Sequence, residues 1–213
     1  MTEMEKKRNR VLAPQVIKAL TLRNMTAQFA ETKEEALAMA LEHIPAKSSV
    51  GWGGCSSAQE IGLMDALRQG DYQLMDRESI TDPAEKNRLA HEILNHCDYF
   101  LTSVNGMSED GVLVNIDGNA NRVAAIAFGP DHVLAIVGMN KVVHSEEDAY
   151  RRAKFLAAPV NAQRFGLDTP CAKLGKCALC KHEQCICCQI LVTRFSRVKG
   201  RIHVILVNED LGF

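Results

Sequence analysis

The sequence predicts an α/β fold, a three-layer sandwich in which a mainly parallel sheet carries helices on both faces. Three observations predict it. Short apolar runs of strand type alternate with amphipathic segments that open on capping residues. Between Cys97 and Lys141 the apolar runs are punctuated by polar, glycine-bearing turns, the places in α/β sheets where small ligands gather. The chain of 213 residues is also long enough for one sizeable core, so a single domain spanning 1–213 is expected.

Taken in order, Val11, Ile17, Leu20 and Met25 fall among Arg, Lys and Gln. They predict an N-terminal helix laid against the main body or against a second copy of the chain, as in a homo-oligomer. Thr32-Lys33-Glu34-Glu35 reads as a capping box, and Ala36, Leu37, Ala40 and Leu41 as the stripe of a helix that ends near Pro45. Ser49 to Trp52 reads as a short strand entering the glycine-rich turn Gly53-Gly54-Cys55-Ser56, with a helix from Ala58 towards Arg68. Ser57 to Glu60 has the form of a capping box. A helix opened by such a turn offers free N–H groups to an anion. The G-x-G-x-x-G dinucleotide pattern is only half met, because Ser56 stands where its third glycine belongs.

Tyr72 to Met75 is a plausible strand, and Asp82-Pro83-Ala84-Glu85 starts a helix with an N-cap followed by proline. His91 and His96 on that helix are five residues apart. They therefore do not share a face, and the zinc-protease reading is rejected. The runs at Tyr99, Val112, Val123 to Phe128 and Val133 to Val137 are all of strand type. Ser145 caps a helix carried through Phe155 to Ala158 and ended by Pro159, and Ile202 to Val207 is a last strand.

Composition excludes several roles. With 24% charged residues and a net charge of -1, there is no basic footprint for nucleic acid. No apolar run is long enough to span a membrane and no signal-peptide core follows the charged N-terminus, so a soluble, cytoplasmic protein is expected. Of the eight cysteines, six lie between Cys171 and Cys188. In a large chain without a signal peptide, such a cluster points to a metal rather than to disulfides. Cys177 and Cys180 form a C-x2-C chelate. Cys171 stands before it, and Cys185, Cys187 or Cys188 after it can complete four ligands; Cys187 completes the preferred set. The irregular outer spacing favours a 4Fe-4S iron–sulfur cluster, with zinc as the alternative and free redox thiols as the third reading. The metal-binding segment is placed at 168–190, and His182 is read as a solvated neighbour.

Taken together, the central motifs resemble the LUD domain of the lactate utilization protein C family. The matching residues run through Arg23-Asn24-Met25, Gly53-Gly54-Cys55-Ser56 with Glu60-Ile61-Gly62, Asn105-Gly106, Asp110-Gly111, Asn115, Asp117-Gly118 and Asn121-Arg122. They continue through Gly138-Met139-Asn140-Lys141, Ala157-Ala158-Pro159 with Arg164, and Pro170-Cys171 to Gly175, Cys177 and Cys180. The resemblance implies a fold similar to the CoA-transferase and ribose-phosphate-isomerase group. It also implies a part in L-lactate oxidation to pyruvate, alongside iron–sulfur partner proteins. Two residues depart from the pattern: Ala120 replaces an expected glycine and Cys55 an expected serine.

Two functional classes follow. As an enzyme, the protein would cradle a small phosphate, carboxylate or CoA ester with Gly53, Gly54, Ser56 and Ser57. Lys141 and Arg122 would supply positive charge, and Glu109 or Asp110 the acid/base or nucleophilic carboxylate. Asn105, Asn115, Asp117, Asn121 and Asn140 complete the expected ligand-binding set. As a redox or binding subunit, the protein would use the cysteine segment to carry a cluster, or zinc to pin the loop, and the α/β body would serve as scaffold.

Overall fold

The computed structural model describes all residues from Met1 to Phe213. Its main sheet has six strands, all parallel: β1 (Thr26–Ala30), β2 (Ser49–Trp52), β3 (Gln73–Met75), β4 (Tyr99–Thr102), β7 (His132–Gly138) and β10 (Ile202–Val207). The order across the sheet is β1-β10-β7-β4-β2-β3. Alternation along β7 sends Val133, Ala135 and Val137 into one core and Leu134 and Ile136 into the other. On the first face lie α1 (Glu3–Leu22), α5 (Pro83–His96) and α6 (Asn121–Ala127); on the second lie α2 (Lys33–His43), α3 (Ser56–Glu60) and α4 (Leu63–Gln69). The expected α/β sheet with a helix layer on each side is therefore present.

A second, mixed sheet in the order β8-β5-β6-β9 was not foreseen. It is built from β5 (Gly106–Ser108), β6 (Leu113–Asp117), β8 (Val142–Val143) and β9 (Gln189–Thr193). It packs against α7 (Glu146–Arg152), which continues through a π-helical turn at Ala153–Ala157 into α8 (Ala158–Arg164). A short α9 (Pro170–Leu174) then leads into the cysteine segment.

Six local expectations need correction. The run Val123 to Phe128 lies in helix α6 and the turn that follows it, and is not a strand. Its apolar residues are continuous because Val123, Ala125 and Ile126 are buried, while Phe128 is 93% exposed; length alone could not separate strand from helix. β6 extends through Asn115 to Asp117, positions read as turn, because β9 supplies hydrogen-bonding partners that are remote in sequence. Pro159 does not end its helix. The π turn before it accommodates the missing N–H, and Pro159 sits in the first turn of α8. On α1 the buried stripe is Ala13, Val16 and Leu20, and Val11 is exposed. Finally, α3 opens one residue before Ser57, so Ser57 is not its N-cap. The Thr32 cap is present, with its hydroxyl accepting from Glu35 N–H at 3.2 Å, but Glu35 reaches back to the Glu31 N–H instead.

Candidate functional site

The carboxyl ends of four parallel strands deliver the residues of one cleft. Gly54 to Ser57 follow β2, Ser103 to Asn105 follow β4, Lys141 follows β7 and Gly212 follows β10. The cleft has a volume of about 550 Å³. Strand ends in an α/β sheet leave divergent backbone and short polar side chains around a crevice, which explains why the cleft lies here.

Lys141 is the buried centre of this cleft. It is 3% exposed, and its Nζ donates to Ser57 Oγ at 3.1 Å and Ser103 Oγ at 3.0 Å. The two hydroxyls are 3.2 Å apart and close the triangle. The ammonium has no carboxylate partner within ion-pair distance. Burial, reinforced by the charges of Arg152 and Arg122, lowers its pKa to about 8. The backbone of Gly212 passes directly above, where a Cβ would lie 3.1 Å from Nζ. That tail is held by Gly212 N–H, which donates to both oxygens of the Glu60 carboxylate at 3.1 Å, and by Leu211 N–H, which donates to Asn140 Oδ1 at 3.2 Å.

Arg122 is oriented by its neighbours in the turn. Asp117 Oδ2 accepts from the Arg122 backbone N–H at 3.1 Å and lies 3.6 Å from its Nε. Arg122 Nη2 donates to Asn105 Oδ1 at 3.1 Å and to the Ile116 carbonyl. Ala120, the unexpected alanine of this turn, has φ +65°, the left-handed conformation that glycine adopts without cost. Its methyl group therefore carries a local strain on the order of 1 kcal/mol. Gly53 lies beside the Arg122 stem, where a Cβ would make ordinary van der Waals contact with the Arg122 Cβ at 3.4 Å. Arg77 and Arg164 also line the cleft. With its amide oxygen turned towards Arg77, Asn121 accepts from Nη1 at 2.7 Å. Four cationic side chains thus face the cleft, against the acids Asp117 and Glu183, and Asp117 is already engaged by Arg122.

The expected site residues divide accordingly. Gly54, Ser56, Ser57, Asn105, Asp117, Asn121, Arg122 and Lys141 line the cleft. Gly53, Asn115 and Asn140 support it from behind: Asn115 Nδ2 donates to the Ser103 carbonyl at 2.8 Å, and Asn140 anchors the Leu211 backbone. Glu109 and Asp110 stand elsewhere. Glu109 pairs with Arg8 at 2.9 Å, and Asp110 pairs with Arg23 at 2.5 Å. Arg23 also donates to the carbonyls of Asp110 and Arg194, both at 2.6 Å. This makes Arg23-Asn24-Met25 a clasp between α1, the 108–111 turn and the approach to β10, and it leaves no carboxylate of that turn facing the cleft. Ser103 and Arg77 were given no role in the sequence, since a lone Ser or Arg carries no spacing signal, and Arg164 stood out there only as part of the family pattern, with no role assigned.

Cys55 occupies the N-cap position of α3 without a side-chain cap bond. It is buried, and burial raises its thiol pKa. All eight cysteines are free. Cys171, Cys177, Cys180, Cys185 and Cys187 line a second cavity of about 150 Å³, together with Lys154 and Thr169. Cys185 Sγ and Cys187 Sγ lie 3.2 Å apart. No three metal-binding side chains close on one point. Cys185 and Ile186 face both cavities, and Gly118 allows close approach where the cleft turn meets Ile186, since a Cβ there would sit 3.1 Å from the Ile186 Cα.

The fold and the cleft define the class: an α/β protein with a preformed polar crevice at the carboxyl ends of a parallel sheet. The chain belongs to the LUD-domain family, whose model matches residues 13–207, and that family is linked to lactate utilization. A crystal structure of a DUF162 family protein from Deinococcus radiodurans superposes with a TM-score of 0.52 at 16% identity, covering 94% of this chain and 98% of that one. At this identity the likeness concerns the fold. No curated protein matches the sequence.

Proposed function

We propose that the protein binds a small organic anion in the cationic cleft and serves L-lactate utilization, the oxidation of lactate to pyruvate, as a metal-carrying subunit. The observation that carries the binding half is the convergence of Lys141, Arg122, Arg77 and Arg164 on one crevice with a single unpaired acid, Glu183, among its lining residues. A carboxylate or phosphate entering there would neutralise charge that the fold leaves uncompensated. Calorimetric titration with L-lactate, pyruvate and inorganic phosphate tests it. Saturable binding that weakens steeply in Arg122→Ala is expected, whereas no binding of any of the three would remove the reading.

The metal half rests on the thiols. Cys171, Cys177, Cys180 and Cys187 are the ligands we assign, with Cys185 beside them on the same cavity. Thiolates are the donors that iron–sulfur clusters and structural zinc both use. A 4Fe-4S cluster bound there would supply one-electron transfer, whereas zinc would only fix the loop. Iron and zinc analysis of oxygen-free material, with the visible spectrum before and after dithionite, separates these two.

The second reading, a transferase or isomerase of phosphate or CoA esters, lacks the carboxylate that the sequence suggested for it. Glu109 and Asp110 are engaged by Arg8 and Arg23 outside the cleft.

A further inference from the structure

We infer that Lys141 is a carbonyl-reactive amine, forming an imine with a small 2-oxo acid whose carboxylate is held by the arginines of the cleft. The inference deepens the anion-binding reading and rests on it. Its basis is a specific arrangement. A lysine 3% exposed spends its hydrogen bonds on two serine hydroxyls, at 3.1 and 3.0 Å, and has no carboxylate within ion-pair distance; burial outweighs the more distant Cys55 and Glu60, which favour its charged form. An ammonium needed only for neutralising an anion is better left hydrated and paired. Desolvation next to other cations is how a lysine amine is made nucleophilic, and Arg122 and Arg152 both act on Lys141 in that sense. The amine opens onto the same crevice as Arg122 and Arg164, so a molecule carrying a carbonyl beside a carboxylate meets both functions at once.

The step balances without an oxidant. The Nζ lone pair attacks the carbonyl carbon and a C–N bond forms, while the carbonyl oxygen takes up a proton. The nitrogen loses one to give a neutral carbinolamine. Ser57 and Ser103, hydrogen-bonded to the amine and to each other, carry these protons. The C–O bond then breaks as the remaining N–H proton passes through the serine hydroxyls to the departing oxygen, which leaves as water, and the nitrogen lone pair closes the C=N bond of the imine. The adjacent carboxylate stays on the arginines throughout.

Pyruvate is the probe, with sodium borohydride in mildly alkaline buffer followed by intact mass measurement and peptide mapping. Hydride addition would convert the imine into a stable carboxyethyl group on Nζ. One such adduct per chain at Lys141, reduced to background in Lys141→Met, is expected. The Ser57→Ala and Ser103→Ala variants should still be labelled, but more slowly. Buried Trp52 reports by fluorescence that the variants are folded. No adduct, or labelling scattered over surface lysines and unchanged in Lys141→Met, overturns the inference. Calorimetry with L-lactate, which has no carbonyl, separates the two claims: lactate binding without a pyruvate adduct leaves the anion site standing and removes the imine, while the absence of both removes the two together.

Discussion

Lys141 shows how a single side chain at the centre of a cleft can oppose stability. A lysine has an ordinary pKa of 10.5 and here about 8, so below that value the folded protein carries an ammonium it holds poorly, at a cost of about 3 kcal/mol. Between pH 8 and 10.5 the unfolded chain binds a proton that the folded one has released. Stability therefore rises with pH across this window, and urea titrations at neutral and alkaline pH should show the midpoint moving up. Lys141→Met removes the buried charge and leaves the Ser57–Ser103 hydrogen bond in place. It should raise stability at pH 7 by about 1–2 kcal/mol while weakening, but not abolishing, small-anion binding, because Arg77, Arg122 and Arg164 remain in the cleft. Thermal melts alongside calorimetry would check both parts.

His203 gives the opposite side of the pH range. Its ring accepts from Thr26 Oγ1 at 2.7 Å and donates to Gln28 Oε1 at 3.0 Å, stacked 4.0 Å from His43. Burial first, and then the charge of His43, lower its pKa from 6.5 to about 4. As pH falls from 6.5 towards 4 the unfolded chain takes up a proton that the folded ring refuses, so stability is lost over that interval. The loss should be on the order of 2 kcal/mol and flatten in His203→Gln, as measured by urea unfolding at pH 7 and near pH 4.5.

At the scale of elements, close approach matters more than propensity. Gly106 lets β5 lie against α7, since a Cβ there would collide with the Ala149 carbonyl. Gly106→Ala should therefore destabilise by about 1–3 kcal/mol, with the β4–β5 connection and Asn105 displaced and anion affinity falling. The cysteine segment behaves differently, because it is mostly half-buried or exposed between α9 and β9. Cys177→Ser should strip metal from anaerobically prepared protein and make 168–189 susceptible to protease. The single buried Trp52 would keep its native fluorescence, showing the parallel sheet intact. A variant that retains full metal occupancy would contradict the assignment of Cys177.

Over the whole molecule, what could be read from the chain follows the range of the forces involved. Caps at Thr32, Asp82 and Ser145 were legible because each is a bond within three residues, from the cap side chain to a first-turn N–H. The strands at Val133 and Ile202 were legible from near-continuous apolar runs, the second broken only by His203, which a parallel sheet buried on both faces demands. By the same logic the glycine-rich turns, Lys141 and the cysteine spacing stood out as places where chemistry had to be sought. The second sheet was hidden because β6 finds its partner β9 more than seventy residues away, a pairing that no local pattern encodes. The separation of roles was hidden too: Glu109, Asp110 and Lys141 all lie in or beside the central stretch, yet only Lys141 reaches the cleft. By itself, then, the sequence determined the alternation of strand and helix, the layered architecture and the residue types available for binding. Only the tertiary structure decided which of them meet, because strand ends far apart in the chain converge once the parallel sheet has closed its two apolar faces.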